Sequence, residues 1–296
     1  MAGQRIGLHV SAAGGVENAP ENAKEMDAEC FQFFSRSPRG GAAPKISEDQ
    51  AALFKQRCRD YGFESYIHTP YYINFASKKA ALREAAPRII REELERGSLL
   101  GVKYVVTHLG SAREWIGATD ETTPREALDA VAGGLKKVFG PSTSLRVKGE
   151  KKLTSKLLLE ISAGSGSVIG DKFEELAYLL EKLDRDDVHV CLDTCHLFAS
   201  GYDVRTTAAW DEMMRHFRKT LGISQLKLVH TNDSKMELNA HRDRHEHIGQ
   251  GKIGDAGFKA MLAHKDLRGV NFILETKHDK LIYEDMKKLR RWRGTP

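Results

Sequence analysis

The chain has 296 residues, of which 41% are apolar and 29% charged, a balance that supplies a buried core and excludes a disordered or membrane-embedded chain. No apolar run approaches the roughly 20 residues of a membrane span, and MAGQRIGLHV enters strand-like sequence with no signal-peptide pattern, so a cytoplasmic protein is expected. The formal charge of +5 permits a polyanionic partner without demanding one.

Apolar, β-branched runs recur along the chain. They begin with RIGLHV (5–10), ECFQFF (29–34), ESYIHT (64–69) and KYVVTHL (103–109). KLLLEIS (156–162), VHVCLDT (188–194), LKLVHTN (226–232) and NFILET (271–276) follow. Amphipathic stretches such as SEDQAALFKQRCRDYG (47–62) and DKFEELAYLLEKLD (171–184) lie between them, and Gly62, Gly101 and Gly222 stand where helices should end. The basic stretch RVKGEKKLTSK (146–156) marks an insertion at about 142–156, read as a solvated surface segment or a phosphate contact. Cys30, Cys58, Cys191 and Cys195 form no CxxC pair and are expected to be reduced thiols. No linker divides the chain, so residues 1–296 are expected to form a single domain.

Strands alternating with helices imply parallel βαβ units, compatible with a (β/α)8 TIM barrel or a doubly wound sheet. The polar residues favour the barrel. His9, His68, His108, Glu160, Asp193, His230 and Glu275 each stand at or just before the C-terminal end of a different run. Only a closed parallel barrel brings that many strand ends to one mouth. A single histidine or glutamate in such a place is ordinarily a hydrogen-bonded structural residue; seven strands ending this way point to a site.

Local motifs extend the set. In CLDTCH, Asp193 and His196 are three apart, and in HRDRHEH, Asp243 and His245 are two apart, on the same side of an extended loop. His68, His108, Glu160, Asp193, His196, His230, Asp243, His245 and Glu275 thus make nine candidate metal ligands. Imidazole and carboxylate without thiolate suit Zn2+, with Mn2+ or Fe2+ as substitutes. Since one zinc takes about four ligands, nine imply a cluster. Two divalent ions would only neutralise the four carboxylates, whereas three leave positive charge for an anionic phosphodiester and a hydroxide. Arg244, between two of the ligands, is read either as a phosphate contact or as a salt-bridging loop residue, and His241 and His247 as orienting or merely surface histidines. IGQGKIG (248–254) is a glycine-rich turn expected to enter the last helix, and by itself does not distinguish a phosphate cradle from a plain turn.

These motifs resemble a known family. HVSAAGG (9–15), CLDTCHLFASGYD (191–203), HTNDSK (230–235), DRHEHIGQGKIG (243–254) and ILET (273–276) are similar to endonuclease IV, the zinc-dependent apurinic/apyrimidinic endonucleases of base-excision repair, and the likeness runs from about residue 5 to 280. The resemblance implies a (β/α)8 barrel with its active site at the C-terminal mouth and three zinc ions held by the nine residues above. It implies cleavage 5′ to an abasic site in double-stranded DNA, leaving a 3′-hydroxyl and a 5′-deoxyribose phosphate, and trimming of blocked 3′ ends. It makes Glu160 a bridging ligand and Glu275 the residue that closes the cluster, either one able to help activate the attacking hydroxide. Arg39 and Tyr71 fall at the family's two DNA-inserting positions; His9 and Arg244 join them as expected DNA contacts. A monomer is expected.

The chain departs from the family in four places, one of them the unusual RVKGEKKLTSK insertion (146–156). Gly40 and Gly41 replace the bulky polar and aromatic pair usual after the inserting arginine, Ile161-Ser162 replaces Asn-Thr, and Leu109 replaces a proline. The alternatives weighed are a sugar isomerase or epimerase on the same barrel, which would use only Glu160, Asp193, His230 and Glu275, and a catalytically weak DNA-damage binder.

Overall fold

The computed structural model describes residues 4–116, 123–140 and 153–294. Of the basic stretch expected at about 142–156, residues 142–152 lie outside the described residues. Eight parallel strands are present: β1 (Ile6–Val10), β2 (Cys30–Phe34), β3 (Glu64–His68), β4 (Tyr104–Thr107), β5 (Lys156–Glu160), β6 (Val188–Asp193), β7 (Leu226–His230) and β10 (Asn271–Leu274). They close in the order β1-β10-β7-β6-β5-β4-β3-β2. Because β1 pairs with both β2 and β10, no edge is left and the doubly wound sheet is excluded. Between β7 and β10, β8 (Asp233–Ser234) and β9 (His245–Glu246) form a small antiparallel pair.

The helices are α1 (Ala19–Glu25), α2 (Glu48–Asp60), α3 (Ala80–Leu100), α4 (Arg125–Phe139), α5 (Phe173–Leu183), α6 (Thr194–Ala199), α7 (Thr207–Thr220), α8 (Gly254–Ala263) and α9 (Lys280–Arg293). Local chemistry sets their ends. Ser47 and Gln50 form a capping box at the start of α2, and α3 stops at Gly101, whose φ of 73° suits glycine. The glycine-rich turn enters α8, not the last helix, since β10 and α9 still follow. No helix among the described residues is long and apolar enough to cross a membrane.

Six of the eight strand ladders, β3 to β7 and β10, stop one or two residues short of their apolar runs. The next amide still bonds its neighbour, as in Thr69 N to Val106 O (2.9 Å) and Thr231 N to Ile273 O (2.8 Å), before the chain turns into a loop.

Two hydrophobic layers result from the two-residue period of a strand. One face of each strand packs outward on the helices, as where Phe33 meets Phe54 of α2 with ring centroids 5.4 Å apart; each such phenyl contributes about 2–3 kcal/mol of burial. The other face fills the barrel with Cys30, Tyr66, Tyr104, Val106, Leu158, Cys191, Leu228 and Ile273. Beside Cys30 the β1 backbone passes so close that a Cβ on Gly7 would lie 1.7 Å from the Cys30 carbonyl oxygen. Two residues beyond an interior residue, on the same face, stand His68, His108, Glu160, Asp193, His230 and Glu275. The strand period alone delivers these six side chains to the mouth.

Candidate metal centre

Glu160, ending β5 and 1% exposed, is the centre of the mouth. Its Oε2 lies 3.1 Å from His68 Nε2 and 3.6 Å from His108 Nε2, while Oε1 lies 3.1 Å from His230 Nδ1 and 3.3 Å from His196 Nδ1. Glu275, just past β10, brings Oε2 to 3.3 Å from His230 Nδ1. Asp193 ends β6 and caps α6, accepting the His196 amide at 2.8 Å; that cap seats His196 in the first turn of α6, facing the same mouth.

The remaining two candidates arrive on the loop after β7. Asp243 sets Oδ2 3.2 Å from His196 Nε2 and Oδ1 3.2 Å from His245 Nε2, and His245 Nε2 is 3.8 Å from Asp193 Oδ2. Among the described residues these side chains fall into groups whose donor atoms lie within 4.8 Å of one another: His68, His108 and Glu160; Glu160, Asp193, His230 and Glu275; and His196, Asp243 and His245. Cys195 stands near Asp193 and His245, but burial pushes its thiol up to about 12, leaving it protonated and a poor ligand.

The donor set fits divalent cations. The Nε2 atoms of His196 and His245 are buried without a hydrogen-bond partner among the described residues, although a carboxylate oxygen lies near each. Packed protein normally satisfies such atoms; a cation between them would do so here. Burial, stronger than the pull of Glu160, pushes His108 down to about 4, so its imidazole is neutral. For His245 burial acts in the same sense, but the Asp243 and Asp193 carboxylates outweigh it and raise the ring to about 9. His196 and His230 are likewise raised well above the usual range, burial being overcome at His196 by Asp193, Asp243 and Glu160 and at His230 by Cys191, Glu275 and Glu160. Protons and metal ions therefore compete for the same lone pairs.

Around the donors is a set of orienting contacts. His196 Nδ1 bonds the Ile161 carbonyl at 2.9 Å, so the Ile161-Ser162 departure leaves this main-chain contact in place. Asn232 donates to Asp193 Oδ2 at 2.6 Å and accepts the Glu275 amide at 2.8 Å, tying two strands together. His247 turns away from the mouth: its Nδ1 is 2.6 Å from Asp285 Oδ2 of α9, which also accepts from Thr276, the residue after Glu275, at 3.1 Å. His241, exposed with φ of 50°, packs on Gly164 and joins none of the donor groups.

The glycine-rich turn holds an internal anion. Gly249 N (2.9 Å), Gly251 N (3.0 Å) and Gly254 N (3.3 Å) donate to Asp233 Oδ2, and Ile253 N to Oδ1 (2.9 Å). A Cβ on Gly251 would sit 2.5 Å from Asp233 Oδ1. A phosphate cannot use amides already bound to a buried carboxylate.

The four expected DNA contacts take different places. Tyr71 is 63% exposed, its ring edge-on to Phe34 at 5.3 Å and tilted over His68 at 5.8 Å. Arg39 is exposed on the loop after β2. Gly40 and Gly41, which follow it, hold φ of 117° and 98°, a backbone that a bulky pair would adopt only with strain. Arg244 is exposed and donates to its neighbour's carbonyl, Asp243 O, at 2.6 Å, without a carboxylate partner among the described residues. His9 lies at the end of β1 with its ring 4.3 Å from Phe34.

Two features escaped the sequence reading. Asp285 had no local signal, being one acidic residue in a charged helix. Gln32 did: it stands two residues beyond the interior Cys30, as the other mouth residues stand beyond theirs, but an amide carries no metal-ligand signature.

Comparison with known proteins agrees with the geometry. Residues 20–292 match the family model described as a xylose isomerase-like TIM barrel. The probable endonuclease 4 of Methanosphaerula palustris is 39% identical over 277 residues, covering 93% of this chain and 92% of that protein. That of Aquifex aeolicus is 36% identical over 271 residues, 92% of this chain and 91% of the relative. The crystal structure of endonuclease IV from Thermus thermophilus superposes with a TM-score of 0.81 at 32% identity, covering 97% of this chain and 98% of that one. A D-tagatose 3-epimerase-like protein shares the fold at 19% identity and a TM-score of 0.71. With a closed barrel, a mouth lined by imidazoles and carboxylates, and near full-length identity above 30%, the chain belongs to the endonuclease IV family of metal-dependent nucleases.

Proposed function

We propose that this protein is a DNA-repair hydrolase that cuts the phosphodiester 5′ to an abasic site in double-stranded DNA, leaving a 3′-hydroxyl and a 5′-deoxyribose phosphate, and that trims blocked 3′ ends. One observation carries the reading: nine imidazole and carboxylate side chains converge at one barrel mouth in three donor groups. An isomerase would leave His68, His108, His196, Asp243 and His245 without work. Chain 1–296 is proposed to act as one domain and as a monomer.

Three zinc ions are the proposed cofactors. One would be held by His68, His108 and Glu160, a second by Glu160, Asp193, His230 and Glu275, and a third by His196, Asp243 and His245. Bound there, they would polarise phosphoryl oxygens, acidify water and stabilise the leaving oxygen. The chain's own residues do the rest. Glu160, with both oxygens engaged by histidines, ties two donor groups together. Glu275, whose side chain is 16% exposed against 1% for Glu160, is the carboxylate that reaches the solvent side of the cluster and would help orient the attacking water. Tyr71 and Arg39 would fill the gap left by the missing base, and Arg244 would hold a flanking phosphate; His9, expected beside it, has its Nε2 buried and its Nδ1 on Gln32, out of a phosphate's reach.

The test is an oligonucleotide duplex with one tetrahydrofuran abasic analogue, incubated with metal-loaded protein, chelator-stripped protein and Glu160→Gln. Cutting 5′ to the analogue by the loaded protein alone is expected. A chelator-insensitive cut would overturn the mechanism, and ketose isomerisation without any cut would establish the isomerase instead.

A further inference from the structure

The interior face of β2 reaches the mouth as an amide. Gln32 is fully buried and bonds to three residues on or just beyond β1, β10 and β7, of which only β1 pairs with β2. Its Oε1 is 2.9 Å from His230 Nε2. Its Nε2 donates to Glu275 Oε1 at 2.6 Å and stands 3.2 Å from His9 Nδ1. The orientation of the amide is forced, because the reverse would set its oxygen 2.6 Å from a carboxylate oxygen.

That orientation determines the ring next to it. With the Gln32 oxygen facing it, His230 Nε2 must carry a hydrogen. Nδ1 is then the nitrogen left for an ion, and it is the one 3.1 Å from Glu160 Oε1 and 3.3 Å from Glu275 Oε2. The same amide fixes which oxygen of Glu275 is used up and which faces the cluster. His9 Nδ1 accepts the second amide hydrogen, so Gln32 spends both of its donors and an acceptor. Glutamate could accept from His230 but would set negative charge against Glu275, and leucine, which fills a similar volume without any polar atom, would leave all three neighbours unpaired.

We propose that Gln32 is a positioning residue for metal binding: it sets the tautomer of His230 and the rotation of Glu275 so that both present lone pairs to the ion shared with Glu160 and Asp193. The inference rests on that group being an ion site, but not on what the protein does to DNA.

The test measures ion binding, with no DNA present. Full-length wild type and Gln32→Leu are stripped with chelator and titrated with Co2+, followed by its visible absorption and by elemental analysis after gel filtration. The variant is expected to keep its circular dichroism and fold cooperatively, with an ion-free melting temperature lowered by the unpaired neighbours, while one ion of the bound complement weakens about 10–100-fold, the usual cost of losing a contact behind a ligand. Unchanged Co2+ affinity and spectrum in a folded variant would overturn the proposal. A second measurement needs no variant. Nitrogen-15 spectra of Zn2+-loaded wild type should show His230 protonated at Nε2, with that proton protected from exchange; protonation at Nδ1 would overturn it equally. Protein that loads normally yet leaves abasic DNA intact would count against the nuclease reading and leave this inference standing.

Discussion

Glu160 Oε1 lies 3.1 Å from His230 Nδ1 at the centre of the barrel mouth, while the other oxygen of the same carboxylate faces His68 Nε2 at 3.1 Å. One side chain thus serves two donor groups, and both should fail together when it is neutralised. Glu160→Gln keeps the shape but replaces one acceptor oxygen by a donor amide. Metal content should fall by at least one ion per chain, and cleavage of an abasic duplex by about a hundredfold or more. Elemental analysis beside a gel assay checks both; full metal content with lost cutting would show that Glu160 acts on the substrate and not through the ions.

Metal loading should release protons. In the ion-free protein His196, His230 and His245 are raised, His245 to about 9, so their rings are charged at neutral pH. A raised folded-state pKa means that the proton is held below that value and lost above it. An ion taking the same lone pair must therefore expel the proton, and its apparent affinity should drop as pH falls. Zn2+ titration calorimetry at pH 7 in buffers of different ionisation enthalpy should give buffer-dependent heats; heats independent of buffer would contradict this.

Tyr71→Ala removes the most exposed large apolar side chain at the mouth, 63% accessible. A surface truncation of this kind leaves stability within about 0.5 kcal/mol. Loss of a stacking aromatic should cost about 1–3 kcal/mol of abasic-duplex binding, a roughly 5- to 150-fold rise in Kd by fluorescence anisotropy, with metal content unchanged. A variant that binds as tightly as wild type would remove Tyr71 from the DNA surface.

Asp233 is fully buried and accepts four amides of the turn 249–254. In Asp233→Asn one oxygen becomes a donor facing amides that also donate. The expected loss is about 3 kcal/mol, in the range for a buried, charge-assisted network left partly unsatisfied. Because Asp233 also pairs in register with Glu246, next to His245, the variant should lose ions from the His196–Asp243–His245 group before it unfolds. Denaturant melts and metal content measured on the same samples check the order; unfolding with all ions still bound would reject it.

How far the sequence alone reached depends on how far each fact spans the chain. The strands and their mouth residues were legible because a period of two is a local property: His68 follows Tyr66, and Glu160 follows Leu158, on one face of one strand. Asp193 with His196 was legible for a similar reason, one residue capping the helix that carries the other. What was not legible is which polar atoms meet. Gln32 and His230 are 198 residues apart, and neither sequence context hints at the other. His245 and His247, two apart in one motif, look interchangeable in the sequence; β9 ends at Glu246 between them, and one faces the mouth and the other Asp285. Likewise the glycines that resembled a phosphate cradle were already closed on a carboxylate from the preceding loop. Residue types and their spacing determined the barrel and the list of candidate donors. Closure of the barrel decided how those donors group and which neighbour fixes each ring, since hydrogen bonds across the mouth depend on distances that exist only once β1 meets β10.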